Sequence, residues 1–341
     1  MKISFSPRLK QVWKKWEFVL TLIILLEIII FALKNSKFLM PRVLFGSMND
    51  IISICIISLF VTFVMITGGI DIQAGSIVGL SSIILGVAWQ DFGFNIWAAS
   101  CLAMVAAGVC GGISGFFIAY CGVQPMVVTL GGSFLYTGIG LLVSKLSATE
   151  SYKGIGGFPE GFLRLSKYRL FGIIPFQVII FLILAVLAYI LLHKTRYGRE
   201  VFLVGVNQNA AEYSGINTRL IIMSTYVLSA VSASVAGIIL TSYLGTAKSD
   251  IGATLTLPII TAVVLGGTLS TGGKGSVPGT ALAAVAIGTL RFGLPLCFKV
   301  SQQYLDIPVG ILLLVIIIGR ALLNRPGLRT KSVIRGRIPH K

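Results

Sequence analysis

Charge is what this chain has least of. Of its 341 residues only 11% are charged, while 55% are hydrophobic. Soluble domains carry about 25% charged residues, so a fold surrounded by water is excluded. No Lys or Arg occurs from Val43 to Ser144, and the acids there are Asp50, Asp71 and Asp91. An apolar helix of ~20 residues crosses the hydrocarbon core, so that block must cross several times. The apolar runs also lack the period-2 alternation of barrel strands. Backbone groups in lipid must then be satisfied inside helices. The expected fold is an all-α polytopic membrane protein.

The same scarcity limits chemistry. With two histidines and 11 acidic residues, there is no HExxH, no other paired metal-ligand spacing and no Ser-His-Asp set. The chain reads as non-catalytic, with no cofactor or metal site. An ion relay needs intramembrane acids or histidines, and only Glu27 lies well inside an apolar segment. It is open whether Glu27 serves as a relay element, pairs with a neighbouring subunit or faces a water-filled crevice. A self-powered secondary transporter is poorly supported. The run GGTLSTGGKGS (Gly266–Ser276) invites comparison with a phosphate-binding loop, G-x4-G-K-[ST]. It fails at both ends, because Thr268 stands at the first glycine position and Gly275 follows Lys274. Cys55, Cys101, Cys110, Cys121 and Cys297 show no CxxC spacing and are expected as buried small hydrophobes.

What the chain does have is basic tails. Its net charge is +17, and twelve of its 28 basic residues lie in two terminal stretches. Lys2, Arg8, Lys10, Lys14 and Lys15 precede the first apolar segment, and Arg320, Arg325, Arg329, Lys331, Arg335, Arg337 and Lys341 close or follow the last. The positive-inside rule places both termini in the cytoplasm and makes the number of spans even. Lipid headgroups are compatible partners for such tails; nucleic acid is not implied. The division is a basic tail over 1–17, a transmembrane domain over 18–324 and a basic tail over 325–341.

Ten apolar segments are expected: Phe18–Leu33, Ile51–Ile66, Ser76–Trp89, Ile96–Tyr120, Pro125–Ser144, Ile173–Leu192, Leu220–Ser242, Leu257–Leu269, Pro278–Phe298 and Ile307–Asn324. The first has no small-residue cleavage site after it and reads as a span that also targets the chain. Alternation places the loop 193–219 inside and the loop 145–172 outside. Their four and five basic residues do not discriminate, so the tails carry the orientation.

Glycine interrupts this pattern. The short segments Ser76–Trp89 and Leu257–Leu269 adjoin GGIDIQAGS and GGTLSTGGKGS. Short, Gly-interrupted spans occur where irregular backbone is buried in protein or lines a cavity. Gly68, Gly69, Asp71, Gly266 and Gly267 are therefore candidates for pathway-lining loops. The likeness of the two stretches fits an internal repeat or chance. Gly108 and Gly112, Gly111 and Gly115, and Gly75 and Gly79 are spaced for close helix packing.

The loop His193–Arg219 is the one long mixed-character stretch between two spans. Asn209 is expected as an N-cap with Glu212 in a capping-box position, and Gly215 as a left-handed terminator. The helix between them, Ala210–Ser214, is too short to persist alone in water. It needs a surface, to which Ala210 and Ala211 offer a small face and Tyr213 an apolar contact. An ordinary turn packed on its own protein is the alternative.

These residues carry a resemblance. NAAEYSG (Asn209–Gly215) resembles the E-A-A-x3-G cytoplasmic loop of ABC importer permeases, with Asn209 where that motif has Glu. TGGIDIQAGS (Thr67–Ser76), HKTRYGREVFLVG (His193–Gly205), SGIN (Ser214–Asn217) and AVVLGGTLSTGGKGS (Ala262–Ser276) resemble the ribose-type sugar subfamily. YKGIGGFP (Tyr152–Pro159) and AKSDIGATLTLPIITAVVLGG (Ala247–Gly267) resemble a branch that imports a small furanosyl, sugar-like signal. The resemblance implies a second, related permease, an ATPase docking at Asn209, Ala210, Ala211, Glu212 and Gly215, and a periplasmic binding protein. Ribose or another monosaccharide is the alternative solute.

Overall fold

The computed structural model describes residues 16–150, 153–170, 172–301 and 304–323. The basic tails, and with them the expected cytoplasmic placement of both termini, lie outside the described residues. Every expected apolar segment falls on a helix: α1 (Trp16–Lys34), α2 (Pro41–Ile66), α3 (Ala74–Gln90), α4 (Ile96–Ala119), α5 (Pro125–Ser144), α7 (Phe176–Lys194), α10 (Thr218–Leu244), α11 (Thr256–Leu265), α12 (Val277–Phe298) and α13 (Asp306–Leu323). Asn324, the expected end of the last segment, is not among the described residues. Six of the helices (α1, α4, α5, α7, α10 and α12) are long and apolar enough to cross a membrane. Ile51–Ile66 within α2, α3, α11 and Asp306–Val315 within α13 are shorter apolar stretches. The fold is thus a polytopic helical bundle of six long spans with shorter helices among them.

Three short helices cap the bundle: α6 (Glu160–Lys167) at one end, and α8 (Arg196–Val206) and α9 (Gln208–Tyr213) at the other. Strand structure among the described residues is slight. Ile155–Gly156 (β1) pairs antiparallel with Thr246–Ala247 (β4), and Arg169–Leu170 (β2) with Ile174–Pro175 (β3).

Helix α10 is the axis. Its most apolar window is 61% buried, against 17–33% for the other five long helices, and it packs on α2, α3 and α4. Small residues permit that closeness. A Cβ on Gly111 would stand 2.5 Å from the Tyr226 carbonyl oxygen, and one on Gly115 would stand 2.9 Å from Met223 Cα. Without a hydrophobic driving force between helices in lipid, such backbone approach supplies the packing.

The glycines of α3 meet something else. Beyond α10 the chain enters the bundle as a largely non-helical segment, residues 245–255, before α11 begins. Ala247 lies against Gly86, Ser249 against Gly79, and Gly252 against Gly75. Gly75 and Gly86 are 11 positions apart on α3, so the segment descends about 16 Å along that helix at 1.5 Å per residue. The expected helix–helix role of Gly75 and Gly79 is therefore corrected: they make room for irregular backbone. The Lys248 N–H donates to Ser82 Oγ at 3.3 Å, and Ser82 Oγ pairs with Thr241 Oγ1 at 2.6 Å. Protein groups satisfy backbone that lipid could not.

All five cysteines are free, and Cys55 is buried as expected. Cys101 and Cys121 are exposed, since α4 and the turn after it present apolar surface outward.

Candidate coupling site

The loop between α7 and α10 is a folded unit. Thr195 starts α8, its Oγ1 accepting from the Gly198 N–H at 3.2 Å and donating to the Leu191 carbonyl at 2.6 Å. Gly198 packs so tightly on the last turn of α7 that any Cβ would overlap the Leu192 carbonyl. Val201 and Val204 continue that buried face. Tyr197 Oη pairs with Ser224 Oγ of α10 at 2.8 Å, and its ring stacks with Phe63 at 6.5 Å. Burial raises the Tyr197 phenol above its usual range, so it stays neutral. At the far end of α8, Gly205 leaves no room for a Cβ against the Ile66 carbonyl of α2.

The next helix begins two residues earlier than its sequence suggests. Its N-cap is Asn207, not Asn209. Asn207 is extended (φ −161°) and its Oδ1 accepts from the Ala210 N–H at 3.0 Å. The reason lies upstream, because the Asn207 N–H still closes α8 on the Leu203 carbonyl at 3.1 Å. One residue thus ends α8 and starts α9, and Asn209 falls inside the helix. The capping box with Glu212 does not form. The terminator is as expected: Gly215 has φ +82°. Its N–H donates to the Glu212 carbonyl at 2.9 Å, and the Ile216 N–H to the Ala211 carbonyl at 3.1 Å. That is a Schellman ending; Ala211 lies in the apolar core and Ile216 packs against that core. Asn217 Oδ1 then caps α10, accepting from the Leu220 N–H at 3.1 Å.

This geometry sorts the expected residues. Ala211 is 4% exposed and belongs to the core, so it anchors α9 and does not face outward. Asn209, Ala210 and Glu212 are exposed. Tyr213 is 93% exposed, more than any other large hydrophobic side chain among the described residues.

The two glycine pairs end helices by the same device. Gly68 (φ +84°) follows α2, with the Gly68 N–H on the Met65 carbonyl and the Gly69 N–H on the Val64 carbonyl, both at 3.0 Å. Gly267 (φ +97°) follows α11, its N–H on the Val264 carbonyl at 3.0 Å and the Thr268 N–H on the Val263 carbonyl at 3.3 Å. Gly266 packs against Thr280 at the start of α12, where a Cβ would come within 2.5 Å of backbone. The loop after Gly267 reaches back to α2, the Gly273 N–H donating to the Ile66 carbonyl at 2.8 Å. The end of α8 at Gly205 therefore meets Ile66, the last residue of α2, and the loop after Gly267 at Gly272 and Gly273.

Asp71 is fully enclosed. Its Oδ2 accepts from Ser229 Oγ at 2.6 Å and its Oδ1 from the Gln73 N–H at 3.1 Å. Ser229 lies 11 residues into α10, about 16 Å above its start, so the 67–73 crossover sits deep in the bundle. Gln73 Oε1 accepts from Ser114 Oγ at 2.7 Å, Thr129 Oγ1 donates to the Ile70 carbonyl at 3.0 Å, and Thr256 Oγ1 to the Ile72 carbonyl at 3.3 Å. Gly68 is exposed, while Gly69 and Asp71 are buried. Sequence reasoning did not find Ser229; an acid without a basic partner and a serine-rich α10 were the available signal.

A bundle of apolar helices broken at glycine turns, with a small docking-sized helix at one end, is the build of a membrane transport permease. The chain belongs to the family described as the permease component of the branched-chain amino acid transport system, whose model matches residues 43–317. It is 40% identical over 307 residues to the autoinducer 2 import system permease protein LsrD of Yersinia pseudotuberculosis serotype O:3 (strain YPIII), covering 90% of this chain and 91% of that one. The LsrD of Yersinia pestis (strain Pestoides F) is similar to the same extent. No solved structure matches.

Proposed function

We propose that the chain is the permease subunit of an ABC importer that carries autoinducer 2, a small sugar-like furanosyl signal, across a bacterial inner membrane. Its transmembrane domain spans 18–324, and the loop 193–219 faces the cytoplasm together with both termini. The observation that carries this reading is α9, a six-residue helix held by Asn207, Ala211 and Gly215 with Tyr213 projecting from it. A helix that short has no stability of its own, yet here it is fixed at both ends and offers an open face. An ATPase partner docks there on Asn209, Ala210, Glu212 and Tyr213. ATP-driven movement of α9 passes through α8 to Gly205 and Ile66, and so to the turns at Gly68 and Gly267. Gly68, Gly69, Asp71, Gly266 and Gly267 then act beside the pathway as its joints, giving alternating access. A second, homologous permease completes the pathway, a periplasmic binding protein delivers the ligand to the opposite end, and lipid surrounds the rest. Likeness to the LsrD proteins over most of the chain supports the choice of ligand.

The test is uptake in proteoliposomes holding this chain, its paired permease, the ATPase and the binding protein. Autoinducer 2 uptake should require ATP and resist competition by ribose. Ribose uptake that excludes autoinducer 2 would move the chain to a monosaccharide permease. Uptake by this chain alone under an ion gradient would overturn the ABC reading in favour of a secondary transporter.

A further inference from the structure

We infer that Ser76, Ser133 and Thr137 form a contact site for a neutral, hydroxyl-rich solute midway along the bundle; this rests on the reading of the chain as a permease for such a ligand. Ser76 Oγ and Ser133 Oγ are 2.9 Å apart, and Thr137 Oγ1 donates to Ser76 Oγ at 3.0 Å. Ser133 and Thr137 lie 8 and 12 residues past Pro125 in the 20-residue α5, flanking the middle of a span. Ser76 reaches them because α3 begins at that depth, after the crossover held by Asp71 and Gln73.

Three other hydroxyl pairs deep in the bundle are closed. Thr62 with Thr280, Ser82 with Thr241, and Ser166 with Ser242 are all buried on both sides. In the Ser76 group, Thr137 is exposed and the two serines are half-buried. The exposed Thr137 is the edge of the group that a solute can reach.

The chemistry defines the ligand class. Each hydroxyl has one hydrogen and two lone pairs. Thr137 Oγ1 also donates to the Ser133 carbonyl at 2.8 Å, so its one hydrogen is shared between that carbonyl and Ser76 Oγ. Either serine can donate within their pair. When Ser76 donates to Ser133, the Ser133 proton is left to point outward and lone pairs on Thr137 are left to accept. A donor and an acceptor one helical turn apart match adjacent hydroxyls of a polyol. Neither α3 nor α5 contains a Lys, Arg, Asp or Glu, so an ionic ligand would find no counter-charge here.

The experiment uses the assembled complex in proteoliposomes, with autoinducer 2 as probe and ATP hydrolysis followed in parallel. Ser133→Ala and Thr137→Val are each expected to lower the ratio of ligand transported to ATP hydrolysed by about fivefold to tenfold, the scale of one lost neutral hydrogen bond. Thr137→Ser, which keeps the hydroxyl, should restore it. If the wild-type complex transports and Thr137→Val keeps the wild-type ratio, the site is refuted while the permease reading stands. Equal losses in Thr137→Val and Thr137→Ser would also refute it, by assigning Thr137 to packing. A wild-type complex that transports no sugar-like ligand would instead overturn the functional reading beneath it.

Discussion

Replacing Asn207 by Ala removes the acceptor for the Ala210 N–H, a 3.0 Å bond at the start of α9. Loss of an Asn cap costs about 1 kcal/mol. In a long helix that would fray one turn; α9 has six residues and little more than one turn to lose. At 1.4 kcal/mol per tenfold, the ordered form of α9 should fall about fivefold relative to frayed forms. If an ATPase docks only on the ordered helix, its affinity falls with the ordered fraction, by up to that factor. The assay is titration of the purified ATPase onto the permease pair in nanodiscs. Asn207→Asp, an equally good cap, should bind like wild type. Asn209→Ala should leave the helix start intact and serve as a measure of face contact alone. Wild-type affinity in Asn207→Ala, with loss in a well-capped Asn209→Ala, would refute the assignment of the cap to docking.

Gly215→Pro should abolish transport while leaving membrane insertion intact, since φ +82° is closed to a ring locked near −65°; protease mapping of inserted protein checks the second half. Gly215→Ala, with nothing within 4 Å of its new Cβ, should lose only ~1–2 kcal/mol of local stability and retain part of the uptake. Asp71→Leu leaves the Ser229 hydroxyl without its 2.6 Å partner and should lower thermal stability in detergent by about 1–3 kcal/mol, with Asp71→Asn milder. Gly79→Ala should destabilise by displacing the Ser249 carbonyl, whereas Gly46→Ala, in open space within α2, should raise stability by about 0.5–1 kcal/mol in the same melting assay.

The helical class was legible from composition because lipid leaves so few solutions for backbone polar groups. The positions of the apolar segments were legible too, each landing on a helix. Depth was not. Ser76–Trp89 and Leu257–Leu269 look like short spans in sequence, and nothing local reveals that residues 245–255 run down α3 between Gly86 and Gly75. That path depends on backbone contacts between residues more than 150 positions apart. The Asn207 cap was missed because Asn209 with Glu212 makes an equally good local motif; what decided between them was the end of α8 at Leu203. Gly215 was legible because a left-handed terminator has few alternatives. The sequence leaves the face of Ala211 open, since a small residue fits either a partner's groove or its own core, and the structure places it in the core.

Docking of the ATPase on α9 is tested most directly with a photo-crosslinking amino acid at Tyr213, 93% exposed on α9, and, as a control, at Tyr304, 58% exposed beyond α12. In a transport-active complex position 213 should crosslink to the ATPase with a yield that changes with bound nucleotide, and position 304 should give no such crosslink. A complex that imports ligand with ATP, yet gives no ATPase crosslink from position 213, would contradict that docking.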